Sequence, residues 1–202
     1  MTAARVFILA LVVALLAGCG GTANSPPAAY RGSLPPPGIH APDFALRSYR
    51  GPIVRIAALR GKVVLVTFLD SKCTQSCPII AGVIGAALPR LSPADRRQVE
   101  AIAITVQPAL DTPASVRRFL AARHALGVLD FLIGSVRQLR PVWKSLHVLP
   151  AVDTGNADIH SADVRIFDHR GIWVSTMHVG VDLTPANLVH DIRLALHARR
   201  NS

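Results

Sequence analysis

Lys62-Val63-Val64-Leu65-Val66-Thr67-Phe68-Leu69, followed at once by Asp70-Ser71-Lys72-Cys73-Thr74-Gln75-Ser76-Cys77-Pro78, is the stretch on which the fold turns. The first eight residues form a β-rich apolar run of the kind buried on both faces of a parallel sheet. Pro78 to Leu88 then reads as a helix, with Pro near its first turn, where a missing N–H costs nothing. Strand, cysteine loop and helix in that order place Cys73 and Cys77 where open α/β sheets carry their reactive loops. If the first turn is helical, positions i and i+4 share a face, so both sulfurs can converge on one atom. The positive end of the helix also favours thiolate, which both metal binding and disulfide exchange require. Redox pairs of the thioredoxin kind use C-x-x-C; three intervening residues widen the bite and suit two sulfurs around one soft metal.

Downstream, the pattern alternates. Ala101 to Val106 is a second short apolar run, and Asp111-Thr112-Pro113 offers an N-cap before Val116, Phe119 and Leu120. Phe131-Leu132-Ile133-Gly134 is a brief extended piece. Ser135 caps a helix carrying Val136, Leu139, Trp143 and Leu146, and Pro150 ends that region. Val164 to Phe167 and Trp173 to Thr176 flank Asp168-His169-Arg170-Gly171, a hairpin signal with Gly at the position needing positive φ. Thr184-Pro185 opens a last helix with Leu188, Ile192 and Leu196 on one face. This order predicts an α/β fold, a central mixed β-sheet with helices on both faces.

Upstream, Arg5 precedes an apolar run from Val6 to Ala17 that is too short to span a bilayer but suits an export signal. Leu16-Ala17-Gly18-Cys19 looks like a bacterial lipobox, which makes residues 1–18 a lipoprotein signal peptide and Cys19 the lipidated residue. The Gly-, Ala-, Ser- and Pro-rich stretch 19–39 is expected to be a flexible tether. Residues 40–198 have the length of one domain. Lipidation of Cys19 leaves Cys73 and Cys77 of the three cysteines. As a disulfide they would close too short a loop to act as a structural staple. The formal charge of +10 is scattered, with no basic run interleaved with aromatics, and an exported chain has no nucleic acid to meet. The expected location is the cell membrane, lipid-anchored on the extracytoplasmic side, where a basic domain sits close to anionic headgroups or an acidic partner.

Several stretches together resemble one family: Pro42-Asp43-Phe44-Ala45-Leu46, Gly61 to Phe68 running into C-x-x-x-C-P, Gln107-Pro108 with Asp111-Thr112-Pro113, Phe131 to Ser135, and His160-Ser161 before a strand ending in Asp168-His169-Arg170-Gly171. In order and interval they are similar to the Sco/SenC family of copper-binding, thioredoxin-like assembly factors for cytochrome c oxidase. The resemblance spans about Pro42 to Leu196. It implies a thioredoxin-like fold, copper as Cu(I) or Cu(II), and Cys73, Cys77 and His160 as its ligands, with Asp111 beside the site. Two thiolates and one imidazole are a soft set that satisfies Cu(I), and Cu(II) if an oxygen completes a tetragonal site. A closed zinc site would want a fourth protein ligand.

Two departures stand out. Ile159 occupies the place before His160 where the family usually has Asp, with Asp158 one position earlier, and Asp70-Ser71-Lys72 stands where the family often carries an aromatic or His. His178 is the runner-up ligand among the eight histidines. The implied function is a metallochaperone for the dinuclear copper centre of cytochrome c oxidase. Its implied partners are the copper-bearing oxidase subunit and a further copper chaperone or thioredoxin-like reductant. The alternatives are a thiol-disulfide oxidoreductase, with Cys73 and Cys77 as the redox pair reducing client cysteines, and a copper or redox sensor.

Overall fold

The apolar run is an inner strand of a seven-stranded sheet. The computed structural model describes residues 29–198; the expected signal peptide and Cys19 lie outside the described residues. In chain order the strands are β1 (Ala45–Ser48), β2 (Ile53–Arg55), β3 (Val63–Leu69), β4 (Val99–Thr105), β5 (Asp130–Ile133), β6 (Asp163–Phe167) and β7 (Trp173–His178). The helices are α1 (Ser76–Ala87), α2 (Pro93–Arg96), α3 (Pro113–Ala121), α4 (Val136–Ser145), α5 (Ala151–Thr154) and α6 (Pro185–His197). Across the sheet the order is β2-β1-β5-β4-β3-β6-β7. β3 runs parallel to β4 and antiparallel to β6, so the sheet is mixed.

Every residue of β3 is buried, and its side chains alternate between two cores as a pleated strand requires. Val63, Leu65 and Leu69 join a core built with Ile80 and Ile84 of α1, Val116 and Leu120 of α3, and Leu188 and Ile192 of α6. Val64, Val66 and Phe68 face the other core, with Leu139, Val142 and Trp143 of α4. Helices therefore cover both faces. Trp143 buries its ring and donates its indole N–H to the Thr105 carbonyl at 3.0 Å, satisfying the polar edge of a large apolar side chain. The hairpin turn between β6 and β7 has Gly171 at φ 78°.

Three features differ from the sequence-based expectation. The hairpin β1–β2 is short and lies at the sheet edge, where little apolar periodicity announces it. Pro150 starts α5, as its N-cap, instead of merely ending α4's region. Part of the stretch expected to be tether is docked: the Arg31 and Gly32 N–H groups donate to the buried Asp191 carboxylate at 2.9 and 3.1 Å. Ser33 then bridges Thr176, and His40 bridges Ile172. Composition gives these residues no core of their own; backbone hydrogen bonds to the domain hold them. At Gly32 a Cβ would collide with the Ser175 hydroxyl, so a larger residue could not lie this close.

Candidate metal centre

Two loops meet over the end of β3. The first, 70–75, joins β3 to α1; the second, 155–162, joins α5 to β6 and carries His160. α1 begins at Ser76, two residues before the position expected from Pro78, so Cys77 lies within its first turn. Gln75 at the N-cap provides no side-chain hydrogen bond. The Cys77 N–H donates instead to Cys73 Sγ at 3.4 Å, so a sulfur takes one of the donors that a helix leaves unpaired at its start.

Both cysteines are free and buried, and the Asp70 N–H points to Cys77 Sγ at 3.4 Å. His160 Nε2 lies 3.2 Å from Cys77 Sγ. The ligand atoms of Cys73, Cys77 and His160 all fall within 4.8 Å of one another. His160 Nδ1 is 2.7 Å from the Ser161 carbonyl, an acceptor that requires the proton on Nδ1 and leaves Nε2 to coordinate. Ser161 is itself fixed, its N–H donating to the Leu149 carbonyl and its hydroxyl accepting the Leu149 N–H, both at 2.9 Å.

The electrostatics divide the two sulfurs. A hydrogen bond from Cys77, outweighing the cost of burial and aided by His160, holds the Cys73 thiol well below the usual range. Cys77 is pushed up by that same bond and by burial. Between the two sulfurs the shifts favour Cys73 as the thiolate and Cys77 as the proton donor. Burial works against a charged His160, but the hydrogen bonds to Cys73 and Ser161 overcome it and raise its pKa. Asp70, the first residue of the loop, is completely buried, and burial pushes its carboxyl up to about 6. Its Oδ1 accepts the Lys72 N–H at 2.7 Å, whereas Oδ2 has no protein partner.

Asp111 lies against the site, but not as the helix cap. Thr112 caps α3, accepting the Ser115 N–H. Asp111 is buried and receives the Ser71 N–H at 2.8 Å and the Thr105 hydroxyl at 2.5 Å, pinning the cysteine loop to the end of β4. Asp158 has a role that its offset from the family position did not announce. Its carboxylate accepts the Thr74 N–H at 2.8 Å, the Thr74 hydroxyl at 3.1 Å and the Gln75 N–H at 3.3 Å, binding the histidine loop to the cysteine loop. Ile159 is exposed. His178 stands outside the cluster; its N–H bonds Asp182 at 2.6 Å. No fourth His, Cys, Asp or Glu joins the three ligands among the described residues. Two sulfurs with one imidazole form a soft, three-donor set.

A family model described as SCO1/SenC matches residues 34–197. Among solved structures, copper-bound ScoI of Bradyrhizobium japonicum is 27% identical, covers 78% of this chain and 99% of its own, and superposes with a TM-score of 0.65. Apo Sco1 of Thermus thermophilus is 22% identical over 84% of this chain and 99% of its own, with a TM-score of 0.68. A SCO1/SenC family lipoprotein of Bacillus anthracis is 20% identical over 81% of this chain and 99% of its own, at 0.64. No curated protein matches the chain. The fold is α/β and thioredoxin-like, as expected from the sequence.

Proposed function

The chain belongs to the SCO1/SenC family, and on that footing we propose that it is a copper metallochaperone that binds copper through Cys73, Cys77 and His160 and assists assembly of the dinuclear copper centre of cytochrome c oxidase. The observation that carries this reading is the convergence of the three ligand atoms within 4.8 Å, with His160 Nε2 presented by its bond to Ser161. Copper is the cargo. The soft donor set accepts Cu(I) directly, and Cu(II) with an added oxygen donor. Transfer proceeds by ligand exchange, as cysteines of the client subunit replace Cys73 and Cys77 one at a time. A second copper chaperone supplies the metal, and a thioredoxin-like reductant keeps the pair reduced. The lipobox-like Leu16-Ala17-Gly18-Cys19 supports a lipid anchor on the extracytoplasmic face of the cell membrane. No helix of the described residues is long and apolar enough to cross a bilayer.

The unequal sulfurs support a second activity of the same pair. The Cys73 thiolate attacks a client disulfide, forming a mixed disulfide and releasing one client thiolate, which takes a proton. Cys77, once deprotonated, attacks the Cys73 sulfur and releases the second client thiolate. The client is reduced by two electrons and the Cys73–Cys77 pair is oxidised. Reducing the client's cysteines and then loading them would make the two activities successive.

The test is transfer from the copper-loaded, full-length chain to the metal-free copper-binding domain of an oxidase subunit, followed by electron paramagnetic resonance of the dinuclear centre. Wild type is expected to build the centre. His160→Ala is expected to fail at loading while still reducing a client disulfide. Client reduction without transfer by wild type would make the oxidoreductase reading the correct one.

A further inference from the structure

Beside the metal centre lies a groove of about 390 Å³ between the cysteine loop and α3. Ser71, Lys72, Cys73 and Thr74 form one wall, and Arg118 and Arg123 stand on the other. Its size is within the range of ordinary ligand sites. Its chemistry is one-sided. Lys72 and Arg118 are exposed, and neither makes an ion pair; Arg123 makes none either, and its Nε is buried without a hydrogen-bond acceptor. The acids of the adjoining loops are buried or already bonded: Asp70 is completely buried, with one carboxylate oxygen on the Lys72 N–H. Asp111 is buried on Ser71 and Thr105, and Asp158 is bound to Thr74 and Gln75. Three cations without acidic partners thus border the approach to Cys73, a residue that is 4% exposed.

We infer that this groove is the docking site for an acidic, extended segment of a protein client, which it lays alongside Cys73. The inference rests on the delivery reading above and deepens it by naming the surface and the partner's chemistry. A client that exchanges ligands with this site must bring its own donor to Cys73, and the groove is an opening that Cys73 itself lines. Carboxylates flanking that donor would meet Lys72 and Arg118 and add an acidic partner to Arg123, whose guanidinium reaches only the Ala122 carbonyl. Guanidinium forks match carboxylates in geometry, so the two arginines would fix the segment's register as well as its charge. Cations grouped at one mouth also concentrate an anionic partner there before contact is made.

The test uses the full-length, reduced, metal-free chain in nonionic detergent. The probes are fluorescent peptides of equal length with a central Ser in place of Cys, flanked by Asp, by Asn or by Lys, and binding is read by fluorescence anisotropy. The Asp peptide is expected to bind at least about tenfold more tightly than the Asn peptide and to weaken as salt is raised. Arg118→Glu, a change on an exposed position of α3, is expected to cost the Asp peptide about tenfold or more. Arg193→Glu, the same charge change on the exposed face of α6, is expected to leave binding close to wild type. Equal binding of Asp and Asn peptides would overturn the inference, as would equal losses in the two variants. Complete displacement of the Asp peptide by millimolar inorganic phosphate would also overturn it, by reducing the groove to a simple anion site. So would Arg118→Glu weakening binding to phosphatidylglycerol vesicles while sparing the peptide. Copper titration of the same samples separates the two readings: copper bound without peptide selectivity defeats the groove alone, and peptide selectivity without copper binding defeats the delivery reading.

Discussion

Asp158 and Thr74, 84 positions apart, are joined by two hydrogen bonds: one carboxylate oxygen accepts the Thr74 N–H at 2.8 Å and the other its hydroxyl at 3.1 Å. This clamp sets where His160 sits relative to the cysteines. The bonds also hold the Asp158 carboxyl below the usual range, so it stays ionised at neutral pH. Asp158→Ala is expected to weaken copper binding by about tenfold or more, as loss of groups that orient metal ligands typically does. Ile159→Ala, a change at the exposed neighbour, is expected to have little effect. Competition titration against a copper chelator of known affinity measures both.

The buried Asp70 gives the metal-free protein a defined pH dependence. Its pKa is raised from 3.8 to about 6, so the folded state binds a proton more tightly than the unfolded state does. Any stabilisation from this group is complete below about pH 4 and is lost as pH rises through about 6, an effect of up to about 3 kcal/mol. Asp111, raised by burial as well, acts in the same direction. Asp70→Asn is therefore expected to gain stability relative to wild type as pH goes from about 4 to about 7. Urea unfolding of both proteins across that range shows whether the gap opens with this sign.

Unequal thiols predict unequal chemistry. In the reduced, metal-free chain a small alkylating agent is expected to modify Cys73 first, and at a pH well below that at which a free cysteine reacts. Cys77→Ala removes the hydrogen bond that contributes most to the low Cys73 pKa, so the reaction profile of Cys73 is expected to move to higher pH. Mass spectrometry of peptides from timed, quenched reactions resolves the two sites. Equal rates at Cys73 and Cys77 would contradict the assignment of thiolate and proton donor.

What the sequence made legible is what is decided locally. β3 is a continuous apolar run, Ser135 caps α4 through bonds within four residues, and Gly171 takes the positive φ that the hairpin turn asks for. The cysteine pair was legible by spacing and position. His160 was not separable from seven other histidines by chemistry, because its contact with Cys77 spans 83 positions; resemblance to a family singled it out. Asp111 looked like a cap because it precedes Thr112-Pro113, yet Thr112 makes the cap and Asp111 turns inward to Ser71. The docked segment from Arg31 is held by Asp191, 160 positions away, and local composition carries no trace of that bond. The β1–β2 edge likewise owes its form to pairing with β5.

The central claim is that Cys73, Cys77 and His160 hold one copper ion together. It is tested most directly by titrating copper into the reduced, full-length chain, with visible absorption and electron paramagnetic resonance, alongside Cys73→Ser, Cys77→Ser and His160→Ala. The expected result is one equivalent bound by wild type, with thiolate-to-copper charge transfer on the Cu(II) form, and loss of that signature in all three variants. Full copper affinity and an unchanged spectrum in His160→Ala would contradict the ligand set.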